Sequence, residues 1–334
     1  MRRTMSSVYF TLLAACVLLC ISAGTLLAAD NPNAKEPFVG GSATLILDAA
    51  NCGPLHTVSG GASCANVVND RSSKGPLSPY GISCEPIAFQ IGLGVPNALQ
   101  GWIADAWNAI NKPKNGKVLY CDSSLKALAE LQFTGGIVLD VTTPACDRRS
   151  TEMGYLSVSI QPTTTMLSPP SPSSASGTPY SGEWHPGQFA LQIDGIDCSK
   201  VLSIEPFSVK RQVGGSLQSE LGRAATPVRI VCSNLKVVIS DSSLTSWKDW
   251  ADHCFAGPPI LKNGAIIFFD NALKEINRIK LYDLAVCKLG PAPVAANGDG
   301  VGLAAVEVTC ARAGFGAAST TEGKSSNTTR PIGR

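Results

Sequence analysis

Ten cysteines follow residue 29, at positions 52, 64, 84, 121, 146, 198, 232, 254, 287 and 310, against three histidines, His56, His185 and His253. Thiol chemistry is therefore what the chain is best supplied for. No Cys-x-x-Cys occurs, so a zinc site would have to be gathered from scattered Cys and His, and no metal or other cofactor is implied. The histidines stand at unrelated places and form no Ser/His/Asp arrangement; His253 reads as a helix-surface residue. Asp122 and Asp270 each follow an apolar stretch and shortly precede Leu-Lys, where an aspartate favours a turn over catalysis. Asn297-Gly298-Asp299-Gly300 has the look of a calcium loop, but Ala295 stands where the first acidic ligand belongs and no Glu is correctly placed, so it reads as a hairpin turn. There is no Gly-rich phosphate loop, and Lys210-Arg211 is an isolated basic pair, so no nucleic acid is indicated. These residues imply a protein that is not an enzyme.

The elements that must carry these residues come in two copies. Shifting the sequence by 148 positions lays Ile82 and Cys84 on Ile230 and Cys232, Ile91 on Ile239, and Trp102 on Trp250. The same shift, without a gap, lays Lys114-Asn115-Gly116 on Lys262-Asn263-Gly264, Asp122 on Asp270, and Leu125-Lys126 on Leu273-Lys274. A small change of offset pairs residues 45–48 and Cys52 with residues 191–194 and Cys198. A shift this long indicates a duplicated domain, not an array of short repeats.

Each copy opens on an apolar strand (43–48; 189–194), followed in the second copy by a strand near 202–210. A Gly-Gly loop, Gly60-Gly61 or Gly214-Gly215, comes next, then a strand pair around Cys84 or Cys232, with 228–239 giving the clearest alternation. One helix is predicted per copy. Leu99, Trp102, Ile103, Ala106 and Trp107 share a face in the first, capped by Asn97. Leu244, Trp247, Trp250, Ala251 and Cys254 share one in the second, capped by Ser243 and stopped by Gly257-Pro258-Pro259. Trp102 and Trp250 are expected to plug the cores. Further strands are expected at 279–286 and 303–310. The fold class is therefore mainly β: two tandem β-sandwich or barrel domains, each with one flanking helix. The expected boundaries are 38–161 and 188–312, joined by a Pro/Ser/Thr linker at 162–187 and followed by a disordered tail at 313–334.

Cys52 with Cys84, and Cys198 with Cys232, are the cysteine positions clearly shared by both copies, 32 and 34 residues apart. They are candidate disulfides, each closing a loop around the Gly-Gly segment. The alternative is that they are reduced cysteines serving as small apolar core residues.

The chain opens on Arg2-Arg3 and an apolar run over residues 8–27, with Ala28-Ala29 as small residues for cleavage. Residues 1–29 thus read as a signal peptide. An uncleaved membrane anchor is the alternative, and Leu13-Ala14-Ala15-Cys16 also has the form of a lipoprotein box. Cleavage leaves 25 basic against 25 acidic residues, a neutral secreted, periplasmic or extracellular chain with no general pull toward nucleic acid or anionic lipid. Oxidising surroundings of that kind favour disulfides.

Read as a whole, the second copy resembles the tail tube proteins of contractile-tailed phages and the related tube of type VI secretion systems. The resemblance lies in the opening strand from Phe189 to Asp194-Gly195 and the Gly214-Gly215 loop. It continues through the helix with Trp247 and Trp250, Lys262-Asn263-Gly264 leading into residues 266–270, and the closing strand with Val306-Glu307-Val308. It covers residues 187–312, and 41–161 through the repeat. The export signal, the cysteines and the two copies in one chain depart from that family. The resemblance implies a two-sheet β fold flanked by a helix, in domains that form six-domain rings stacking into tubes. Two domains per chain would let three chains close such a ring. The expected function is an exported structural protein that self-associates into rings or tubes. A monomeric extracellular module binding glycan or a surface partner is the alternative, and a secreted hydrolase ranks last.

Overall fold

The structure is a computed structural model and describes residues 41–67, 79–171, 184–212, 228–293 and 302–316. The expected signal peptide, the Gly214-Gly215 loop, residues 297–300 and residues 317–334 lie outside the described residues; the first four residues of the expected 313–334 tail are not disordered but complete the last strand, with Ala313 and Phe315 buried.

The first copy supplies β1 (Ser42–Leu47), β2 (Ala50–Gly60), β3 (Ser63–Val67), β4 (Pro79–Cys84) and β5 (Ile87–Ile91), then α1 (Asn97–Trp107). After the helix come β6 (Lys114–Cys121), β7 (Ala127–Thr142), β8 (Cys146–Asp147), β9 (Leu156–Gln161) and β10 (Thr164–Ser168). The second copy supplies β11 (Phe189–Ile193), β12 (Val201–Ile204), β13 (Ser208–Gln212), β14 (Arg229–Cys232) and β15 (Leu235–Ser240). It then runs through α2 (Leu244–Ala256) into β16 (Lys262–Phe269), β17 (Glu275–Pro291) and β18 (Leu303–Gly316). The fold is mainly β, with one flanking helix per copy.

Strand residues alternate between core and surface as a half-buried strand requires. In β9, Leu156, Val158 and Ile160 point inward, and in β15, Leu235, Val237 and Ile239 do the same. Antiparallel pairing runs β7-β6-β1-β2-β5-β9, and β9 returns to β7, which closes six strands into a barrel. The second sheet, β11-β16-β17-β18-β15-β12-β8, is the same arrangement left open. Where β1 turns directly into the long β2, β11 ends in an isolated bridge, Ile193 to Ile196, before the chain reaches β12. Pro206, which has no N–H for a ladder, separates β12 from β13.

The helices bury the expected face: Leu99, Trp102, Ile103, Ala106 and Trp107 in α1, and Trp247, Trp250 and Ala251 in α2, with Leu244 and Cys254 packed half-buried beside them. Their caps differ from expectation. Pro96 precedes α1 and Asn97 is its first residue; a proline with extended ψ starts a helix without any side-chain cap. Ser243 does precede α2, but its hydroxyl donates back to Ser240 O across a single 3-10 turn instead of capping.

The 162–187 linker expectation is corrected in two places. Thr164–Ser168 forms β10, paired with β7 from Thr164↔Thr134 to Ser168↔Glu130. Trp184 is buried edge-on against Phe268, where it fills the space beside Gly154. The Pro/Ser composition that suggested an extended tether belongs to a shorter span between these anchors. The copies also share strands. β13, paired with β14, adds to β7 of the first copy, and β8 adds to β12 of the second. Buried residues of both halves form one continuous core, and the described residues belong to one compact unit.

Candidate functional site

Trp102 and Trp250, Asp122 and Asp270, and the two Lys-Asn-Gly triplets hold matched positions, and each explains a turn or a packing contact. The Trp102 indole N–H donates to Lys112 O at 3.0 Å, and that of Trp250 to Ile260 O at 2.8 Å. Both rings are buried, so each plugs its core while its polar atom is satisfied by the chain leaving the helix. Asp122 Oδ1 accepts the N–H groups of Ser124 and Lys126, and Asp270 Oδ1 those of Ala272 and Lys274. Leu125 and Leu273 in the same turns have φ of 64° and 58°.

The Lys-Asn-Gly triplets are the joints between the first strand and the rest. Lys114 Nζ binds Asp48 Oδ2 at 2.6 Å, and Lys262 Nζ binds Asp194 O at 2.7 Å. Asn115 and Asn263 use backbone O to accept the N–H of Asp48 and Asp194. Their Oδ1 atoms accept the N–H of Gly135 and Asp283, the left-handed residues of equivalent bulges in β7 and β17. A side chain on Gly116 or Gly264 would strike Ile46 O or Gln192 O, so the third position must be glycine.

The candidate disulfides are not formed: Cys52, Cys84, Cys198 and Cys232 are thiols. Cys84 ends β4, whose partner β3 follows the Gly60 end of β2, while Cys52 lies near the opposite end of β2. Eight residues of strand, about 26 Å at roughly 3.3 Å each, separate Cys52 from that end. Cys52 and Cys198 occupy equivalent places, each hydrogen-bonded to the backbone of the last residue of its first strand, Leu47 or Ile193. Burial pushes the two thiols up to about 11 and about 12. Cys232 lies instead beside Cys310, to which it is hydrogen-bonded. Matching positions in two copies signalled shared packing, not shared covalent partners.

The histidines do not gather. The His56 ring stacks on Tyr155 at 3.9 Å, and the exposed His253 lies with Nδ1 2.6 Å from Asp249 O. Among the described residues no group of three or more His, Cys, Asp or Glu could hold a metal, and no helix is long and apolar enough to cross a membrane.

The most elaborate constellation is the seam between the copies. Ser208, Val209 and Lys210 of β13 pair with Thr142, Val141 and Asp140 of β7, with Lys210 Nζ 3.2 Å from Asp140. Phe207 and Thr143 exchange hydrogen bonds, and Arg148 Nε reaches Val201 O at 2.7 Å. The buried Asn277 amide donates to Leu93 O at 3.1 Å. At the centre, Trp107 at the end of α1 meets Phe315 of β18 edge to face, with ring centroids 5.3 Å apart. A groove of about 620 Å³ runs alongside, lined by Trp107, Ile230, Tyr282, Arg312 and Phe315 among others.

The repeat assigns each seam residue an equivalent in the other copy. The 148-residue shift holds through β10: Leu131↔Leu167 in β7–β10 is the equivalent of Ile279↔Phe315 in β17–β18. Leu167 is thus the equivalent of Phe315, and Phe255 that of Trp107. Both lack the cover their equivalents have: Leu167 is 69% exposed and Phe255 56%, against 6% for Phe315 and 7% for Trp107. The strand joint is left open in the same way. Among the described residues β3 pairs only with β4, and beyond Leu284 β17 pairs only with β18. Sequence reasoning missed this site because exposure, not residue type, distinguishes it; the gapless alignment continued to residue 168 was the signal for it. No family model matches the chain, and no curated protein matches it in sequence.

Proposed function

We propose that the chain is an exported, non-enzymatic structural protein that assembles head to tail through a repeat of its own internal seam. One observation carries this reading: each half of the seam has an exposed apolar equivalent, Phe255 on the second copy and Leu167 on the first. An isolated exposed Phe or Leu means little. Two that complete, in trans, a contact already made in cis form a heterologous pair. The edges of β3 and β17 offer the backbone half of the joint, a form of strand addition. By the register of β13 on β7, Ala62, Ser63 and Cys64 of one chain would face Gly290, Leu289 and Lys288 of the next.

A heterologous contact closes into a ring or continues as a filament, according to its rotation. The resemblance of the second copy to phage tail tube proteins favours closure, with three chains presenting six β domains. The test is the mass of the full mature chain by light scattering over a wide concentration range, with negative-stain electron microscopy of the heaviest species. Rings or filaments are expected; a strict monomer at high concentration overturns the reading.

A further inference from the structure

Cys232 ends β14, which is joined through β13 to the barrel, whereas Cys310 lies on β18 of the second sheet. β14 packs against β18, and the two thiols are hydrogen-bonded to each other across that contact. Cys310 Sγ also lies 3.0 Å from Arg312 O and 3.9 Å from Tyr282 O, which holds the sulfur in place. Cys232 is half-buried, and the groove beside the seam is lined by Ile230, Ala311 and Arg312, near sequence neighbours of the two cysteines. We propose that Cys232 and Cys310 are a redox pair that closes to a disulfide between the two sheets when the folded chain meets a small disulfide oxidant.

The roles of the two sulfurs follow from their surroundings. Cys232 is half-buried and Cys310 buried, so Cys232 is the sulfur a reagent reaches first; its hydrogen bond with Cys310 also holds the Cys232 thiol below its ordinary range, against the effect of burial. That same bond, together with burial, pushes Cys310 far up. Cys232 loses its proton and its sulfur attacks one sulfur of the oxidant, giving a mixed disulfide and one reduced thiol. Cys310 then gives up its proton and attacks Cys232 Sγ. The second half of the oxidant leaves as a thiol, and the protein has lost two electrons and two protons.

The first copy supplies an internal comparison. Cys84 is the equivalent of Cys232, but Pro162 stands at the equivalent of Cys310. Cys84 Sγ instead lies 3.6 Å from both Thr163 O and Thr165 Oγ1. The bond therefore belongs to the second copy alone. There it would tie the hairpin that leaves for the barrel back to its own sheet, locking the strand exchange that builds the seam.

The test uses the full reduced chain, incubated folded with oxidised glutathione, alkylated, digested without reduction and mapped by mass spectrometry. The expected result is one peptide pair joining Cys232 to Cys310, lighter by two hydrogens and without bound glutathione. In Cys310→Ser the expected product is glutathione retained on Cys232. Alkylation of both Cys232 and Cys310 in the oxidised wild-type chain overturns the proposal, as does Cys232 joined to any other cysteine. The wild-type map decides the matter even if the serine variant does not fold.

Discussion

Trp107 and Phe315, one from each copy, meet edge to face with ring centroids 5.3 Å apart, while their equivalents Phe255 and Leu167 are both exposed. If these equivalents complete the same contact between chains, charge placed on either one blocks only one end of the molecule. Phe255→Glu and Leu167→Glu should each abolish higher assemblies, with the dissociation constant raised about 30-fold or more for loss of a central anchor worth about 2 kcal/mol. Mixing the two variants should give discrete dimers, because each keeps the end the other lacks. Ultracentrifugation of the single variants and the mixture reads this directly; a mixture that stays monomeric, or single variants that still assemble, rejects a head-to-tail contact.

The matched turns store strain that one substitution should relieve. Leu273 has φ 58° and is 72% exposed, so its side chain gains little from packing while its backbone sits in the left-handed region. That conformation costs a non-glycine residue about 1–2 kcal/mol, part of which glycine gives back through its greater unfolded-state freedom. Leu273→Gly should raise stability by about 0.5–1 kcal/mol in urea unfolding with an unchanged denaturant slope. Asp270→Ala should act the opposite way, by about 1–2 kcal/mol, since Asp270 Oδ1 accepts two backbone N–H groups at 2.9 and 2.8 Å.

What could be read from the residues follows the physics of each signal. The helices were legible because 3–4-residue spacing of Trp247, Trp250 and Ala251 has no strand explanation. The turn role of Asp122 and Asp270 was legible because it depends on the next four residues alone. The exchange of β13 was not, since Val209 and Val231 alternate alike whichever sheet receives them. The cysteine partners were not legible either. Cys232 and Cys310 are brought together by sheet packing between strands 78 positions apart, and nothing local marks one for the other.

Asp48 links the first joint to pH. The hydrogen bond from Lys114 Nζ, with that from the Asn115 N–H, holds the Asp48 carboxyl below its ordinary value of 3.8 despite partial burial. A carboxyl depressed by folding contributes stability above its unfolded value, and that contribution is lost as pH falls through the folded value. Asp48→Asn should therefore be less stable than the parent at pH 6–7, and the gap should close progressively below about pH 4. Urea unfolding of both chains across that range checks it; a gap that persists unchanged at pH 2–3 removes the ion pair as its cause. In the second copy Lys262 binds the backbone oxygen of Asp194, a group that does not titrate.

The remaining thiols should divide by depth. Cys64 and Cys287 are exposed, whereas Cys52 and Cys146 are buried and Cys198 is half-buried. Burial pushes Cys146 up to about 12 and Cys198 to about 12, with Cys52 at about 11. At pH 8 the nucleophilic thiolate is then scarce at these three sites, and the reagent is sterically excluded as well. Under reducing conditions, timed alkylation with iodoacetamide should modify exposed Cys64 within the first minutes and Cys287 more slowly, since burial and Glu307 push the Cys287 thiol up. Cys52, Cys146 and Cys198 should resist until denaturant is added, and then react together in one cooperative step, because all three belong to or abut the same core. Early modification of Cys52 or Cys198 in the folded chain would place the first strand of that copy in a frayed state. Staggered release in rising urea would mean that the two copies unfold separately despite their shared strands.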